Sequence, residues 1–483
     1  MRHLRHRTVL LAIVLAALVP LPATAGPVAG TFGPGPLVGT VGPGWFGTSN
    51  TDLLLNLPVN SGTAGARVVG DRLLVTDQNG LTVYDIADPE LPLPLGFVPI
   101  PQQYYFTEED VPSNGRIALV GQFGDLTPSI QLNVVDVSLE GPLGQPRVIG
   151  TLPRVDEHTF ECARDCTYAY GSAGVIIDLT DPTQPRDIGQ WDDAVRAQQD
   201  PVTGAPYTFQ ASTHDVTEVA PGILLTSSNP MYLLDVRTTP EAPEVIGVAT
   251  FADRRFVHAN LWPYHGDLPE DPADPAAEGW EPDWDAFDRH VLVGGETAPL
   301  PTACGPKDGA FMTVPWTVDP VADDPDADEI SPFVRMTHDP ASGQGAEYRP
   351  EPGTFTDGGS PYSQYCTHWF TTRPDFTDGG LVAIGWYEFG TRFLEVAADG
   401  AIEERGWLIP AGGSTSAAYW VNEGTLLTAD YQRGVDVLAF DATVDPEDVR
   451  EVTVPGLRFA RAALPRPQVL TDWYTGFGCP LPT

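Results

Sequence analysis

The chain has 483 residues, and 42% hydrophobic side chains with eleven Trp give it the material for a large core. Its 49 Gly and 49 Pro suit a turn-rich chain without reaching the level that signals disorder. A formal charge of −39, from 65 acidic against 26 basic residues, excludes bulk-charge binding to nucleic acid or an anionic membrane face, and the composition excludes a coiled coil or a disordered tail protein.

A turn-rich β protein remains. So many carboxylates repel across a folded surface. Salt screens that repulsion, with a Debye length of about 10 Å at 0.1 M. The melting temperature is therefore expected to rise with NaCl between low and roughly physiological ionic strength. Thermal scans across a salt series check this, and salt-independent melting would contradict it.

In chain order, Arg2, Arg5 and Arg7 form a basic start, residues 9–19 an apolar run, and Ala23-Thr24-Ala25 a small-x-small cleavage site. This is the pattern of a secretory signal peptide over residues 1–25, too short for a membrane span. Cleavage near Ala25 predicts an extracellular mature chain from Gly26, with the charge moving from −39 to −42. No Cys follows the site, so a lipoprotein anchor is not expected, and no later run is apolar enough to span a bilayer. Residues 26–58 read as an N-terminal segment able to supply a closing strand.

Beyond that point the chain repeats. One unit reads Leu73-Leu74-Val75-Thr76-Asp77, then Gly80-Leu81-Thr82-Val83-Tyr84-Asp85-Ile86, Asp88-Pro89 and Leu95-Gly96-Phe97-Val98. Further copies carry Leu132-Asn133-Val134-Val135-Asp136-Val137, Val175-Ile176-Ile177-Asp178-Leu179, Met231-Tyr232-Leu233-Leu234-Asp235-Val236, Thr391-Arg392-Phe393-Leu394-Glu395-Val396 and Gly434-Val435-Asp436-Val437-Leu438. The logic is local. A short apolar strand ends in Asp, whose side chain can bond nearby backbone N–H groups. The x-Pro pairs that follow forbid helix and force an extended crossing. Short antiparallel strands at a spacing of roughly 40–50 residues are the signature of a propeller blade.

These copies resemble the LVIVD repeat, found in mostly bacterial, often secreted β-propeller proteins largely without assigned activity. The resemblance covers roughly residues 60–445 and implies one all-β propeller domain over 59–455, followed by a tail over 456–483. Residues 264–290 and 298–365, in the fifth blade, are long insertions that interrupt it. Units starting near Ala64, Asp110, His158, His214, His258, His368 and Ser416 give seven blades of four antiparallel strands. Six or eight blades, or two stacked sandwiches, are the alternatives. Helix content above about 20% is not expected, because no segment sustains apolar spacing at 3.6 residues.

Five Cys in a secreted chain suggest two disulfides and one left over. Cys162 and Cys166 can staple a hairpin turn, and Cys304 with Cys366 is the next pair, leaving Cys479. A zinc pair of the CxxxC type is the competing reading, without a second Cys pair at ligand spacing.

Four of the nine His, namely His158, His214, His258 and His368, occur at one place in the repeat, the start of the innermost strand. In a propeller these starts ring the mouth of a central channel. The second strand runs back antiparallel to the same face, where it places Asp77, Glu296, Glu388 and Asp430. Imidazole with carboxylate suits Fe, Cu, Mn or Zn. Glu296, from the unit that starts at His258, is expected beside the four His as a fifth ligand or as an acceptor fixing a ring tautomer. The bland alternative is that each His bonds a neighbouring backbone carbonyl.

Other motifs are weaker. Residues 319–329 are acidic but lack the arrangement of a calcium loop. Trp280, Trp284 and Phe287 form either a stacking platform or insertion packing. Ser61 and Ser414 lack the context of a nucleophilic elbow. Two function classes stay open: a secreted binding protein for an extracellular ligand or partner, without nucleic acid or a membrane span, and a metal-dependent oxidase, oxygenase or hydrolase using the four His.

Overall fold

The computed structural model describes residues 45–57, 63–77, 79–100, 109–122, 130–141, 144–252, 255–297, 309–321, 331–350, 366–410, 413–431, 433–446 and 449–452. It is an all-β propeller, with 56% strand and 5% helix among the described residues. The signal-peptide reading, Cys304, Cys479 and the tail lie outside the described residues.

Successive antiparallel strand groups carry the repeat. The first is Thr63–Val69, Arg72–Asp77, Gly80–Asp85 and Leu93–Pro99. The next are Ile117–Gln122, Gln131–Asp136 and Arg147–Pro153, then Phe160–Ala163, Tyr168–Gly171, Val175–Asp178 and Arg186–Gln190. A later group, Thr415–Trp420, Thr425–Asp430 and Gly434–Phe440, takes its outer strand from Thr51–Leu57, whose Leu53 lies opposite Leu438. An early strand and a late strand group are thereby tied into one sheet.

The turn chemistry follows the sequence. Backbone N–H groups of Ala87, Ser138, Thr180 and Arg237 donate to Asp85, Asp136, Asp178 and Asp235 at 2.9, 3.1, 2.9 and 2.9 Å. Each is an Asx turn closing the next-to-last strand of its group. A bulge then recurs between the next-to-last and outer strands, at Val83/Tyr84, Val134/Val135, Ile176/Ile177, Leu233/Leu234 and Phe393/Leu394. The core lies between neighbouring sheets: Leu74, Leu81 and Val83 pack with Ala118, Val120 and Val135, and Leu119 and Val134 with Phe160, Ala169 and Ile177.

The insertions join this frame in two ways. Gly309–Val321 and Ser331–His338 form a hairpin whose second strand pairs in parallel with Glu244–Phe251, so the strand groups that start at 211 and 255 fuse into one nine-stranded sheet. In the other insertion, Phe287 packs tilted against Trp262 at 4.2 Å and Trp284 stacks on Phe287 at 5.5 Å. Those aromatics pack the insertion onto the sheet. Cys162 and Cys166 form a disulfide across the turn that follows Phe160–Ala163, and Cys366 is disulfide-bonded as well. Such bonds fit an oxidising compartment. No helix among the described residues is long and apolar enough to cross a membrane.

Candidate metal centre

The innermost strands break register where the His stand. The ladder skips from Ala211 to Asp215, from Val257 to Ala259, from Thr63 to Gly65 and from Thr415 to Ala417. His214, His258, Ala64 and Ser416 are thus bulged out of pairing. A bulge re-aims its side chain away from the sheet, and here it aims His214 and His258 at the propeller axis. His158 and His368 reach the same place from the two residues preceding Phe160–Ala163 and Phe370–Thr372.

All four rings converge. Neighbouring centroids are 4.8 Å apart for His158 and His214, 3.8 Å for His214 and His258, and 4.1 Å for His258 and His368. At their focus is a carboxylate that the repeat pattern did not single out. Glu109 Oε2 lies 3.5, 3.9, 4.0 and 3.2 Å from Nε2 of His158, His214, His258 and His368. All five side chains are fully buried. Donor atoms of Glu109, His258 and His368 lie within 4.8 Å of one another, as do those of Glu109, His158 and His214.

The tautomers follow from the backbone. A carbonyl oxygen only accepts, so His214 Nδ1–H donates to the His258 carbonyl at 2.9 Å and His368 Nδ1–H to the Ser416 carbonyl at 2.5 Å. Burial, with repulsion from His158, pushes the His214 ring well below its ordinary value, and burial with His214 and His368 does the same to His258. A neutral His214 ring with its proton on Nδ1 carries a lone pair on Nε2. That nitrogen has no hydrogen-bond partner and faces a carboxylate. Burial would push the Glu109 carboxyl up, but charge and hydrogen bonding from His368 and His158 hold it well below the usual range. The carboxylate is further held by Tyr431 O–H, which donates to Oε1 at 2.6 Å, and by Trp369 Nε1–H, which donates to Oε2 at 3.3 Å.

Two of the expected carboxylates, Asp77 and Asp430, are engaged elsewhere. Asp77 accepts from the N–H groups of Asn79 and Gly80, and Asp430 from those of Ser414 and Arg433. Both cap turns. Glu388 is half-buried in a turn. Glu296 sits in the ladder opposite Phe256; its side chain lies outside the described residues. Glu109 directly precedes Asp110, the start of the second unit, so repeat register is the signal by which it could have been found, although it was not among the carboxylates expected there. His265, His290 and His338 lie outside the ring, with His265 against Asp288 at 3.3 Å and His338 against Glu347 at 3.8 Å.

A second charged cluster includes the chain neighbours of Glu109 and His214, namely Asp110 and Asp215. Arg67 pairs with Asp110 at 3.3 Å and Glu161 at 3.1 Å, and Asp215 adds a third carboxylate accepting from Thr217.

No family model matches the chain, and no curated protein matches it. Among solved structures it is similar to the WD40 β-propeller domain of Doa1, at 11% identity and a TM-score of 0.42, over 82% of this chain and 99% of that one.

Proposed function

We propose that this chain is a secreted, seven-bladed propeller of the LVIVD type in which His158, His214, His258, His368 and Glu109 bind one divalent transition-metal ion. The observation that carries this reading is the set of imidazole nitrogens around Glu109 Oε2, all within 4.0 Å and shut off from water. A buried lone pair opposed to a carboxylate is unfavourable unless a cation stands between them. Carbonyl bonds at Nδ1 supply the outer support that metal-binding His require. Neutral imidazole with one carboxylate suits Fe, Cu, Mn or Zn and not Ca²⁺ or Mg²⁺. Centres of this donor set serve oxidase, oxygenase and hydrolase chemistry. The secreted assignment rests on the leader pattern and the disulfide, and the seven blades on the strand groups and their shared bulge.

Elemental analysis of untagged protein tests the reading. One equivalent of Fe, Cu, Mn or Zn is expected, and His214→Ala should lose it while keeping the β signal in circular dichroism. Metal-free protein that takes up none of these ions would leave the binding-protein reading alone.

A further inference from the structure

The metal reading leaves open what the centre accepts, and the second oxygen of Glu109 bears on that question. Oε2 faces the four imidazoles, while Oε1 is taken by the Tyr431 hydroxyl at 2.6 Å. Tyr431 is only 5% exposed, so that bond has no water to compete with it. Four imidazoles and one carboxylate oxygen make five donors, and a first-row divalent ion can take six. A chelating carboxylate would fill the last vertex. A hydrogen bond to the outer oxygen competes for the lone pair that chelation would use, and so favours binding through one oxygen.

The surroundings of Tyr431 are tightly specified. Tyr387 lies nearly parallel to it, with centroids 6.2 Å apart at 17°, and also meets His368 at 4.7 Å. Tyr387 holds a left-handed backbone, φ 46°, uncommon for a bulky residue. Reciprocal 2.9 Å bonds with Thr415 keep it there. Strain of this kind persists where the surrounding fold over-determines a position, and it clusters at functional sites.

We propose that Tyr431 is a positioning residue that keeps Glu109 monodentate, and so leaves one vertex of the metal open to a small monoanion. The inference rests on the five-ligand reading above. The charge of the ligand follows from the donors: a divalent ion, one carboxylate and neutral imidazoles leave one positive charge in a buried site, which favours an anion such as hydroxide. Burial of all five donors limits the ligand to a few atoms.

The full chain loaded with Cu²⁺ is titrated with azide, followed by visible absorption and electron paramagnetic resonance. The wild type is expected to bind one azide per copper with a saturable charge-transfer band. Tyr431→Phe should keep one copper per chain and lose at least tenfold in azide affinity as Glu109 closes the vertex. An unperturbed wild-type spectrum overturns the inference while leaving the metal reading intact, and so does equal azide affinity in the variant. Failure of the wild type to bind copper, iron, manganese or zinc removes both. Should Tyr431→Phe not fold, the infrared difference spectrum of copper-loaded wild type against Glu109→Gln decides: a monodentate carboxylate splitting supports the role of Tyr431, and a bidentate one overturns it.

Discussion

Metal loading is expected to stabilise the folded chain by about 2.7 kcal/mol when the free ion stands at a hundred times its dissociation constant, and His214→Ala should abolish that gain. The proposed ligands are gathered from several strand groups, a constellation that the unfolded chain does not possess. His214 matters doubly, because its Nε2 faces Glu109 and its Nδ1–H ties it to the His258 carbonyl. Acid gives an independent check on the metal-free protein. Burial depresses the folded value for His214, whereas an unfolded imidazole takes a proton below about pH 6.5. The unfolded state then binds more protons, so this group costs stability as pH falls below 6.5 towards the folded value. Removing the ring removes that cost. Metal-free His214→Ala should therefore gain on metal-free wild type as pH drops from 7 to 5. Melting curves with and without metal over that range measure both effects. An equal metal-induced shift in the two proteins would sink the ligand assignment, and a metal-free variant that gains nothing on metal-free wild type between pH 7 and 5 would sink the buried-neutral description of His214.

Replacing Arg67 with Leu should destabilise the chain by about 2–3 kcal/mol near pH 8. Breaking a buried ion pair from one side typically costs about 3–5 kcal/mol because it strands a charge. The Arg67 side chain is 29% exposed, which lowers that figure. Asp110 and Glu161 would be left facing each other and Asp215 with no cation. Burial already pushes Asp110 up to about 6 and Glu161 up to about 7, against the lowering by Arg67. Carboxyls with raised folded values bind protons in the folded state, so their stabilisation is present in acid and is lost as pH rises from about 4 through those values. Without Arg67 the folded values climb further. The loss should be clearly smaller at pH 5, where protonation removes the repulsion, than at pH 8. Urea unfolding at both pH values checks this; a variant equally destabilised at each would mean that packing of the Arg stem, not charge, is what is lost.

The sequence by itself determined the local layer of this protein. Strands ending at Asp85, Asp136, Asp178 and Asp235, and the Asx turns that close them, depend on residues within a few positions of each other, so they were legible. The shared slot of His158, His214, His258 and His368 was legible for the same reason, since a repeat fixes where its inner strand begins. Their convergence follows from closing the ring. Other features depended on contacts between distant segments, and only the tertiary structure decided them. It placed Glu109, and not Asp77 or Asp430, at the ring: the latter two accept from turn N–H groups, whereas Glu109 is held by Trp369 and Tyr431 from late in the chain. The parallel pairing of Gly247 with Val334 likewise joins residues far apart, with no local pattern to announce it. The opposition between a His bonded to a carbonyl and a His turned to the shared site also dissolved in three dimensions. An imidazole has two nitrogens on opposite sides of one ring, and in His214 and His368 Nδ1 meets the next strand group's carbonyl while Nε2 meets the axis.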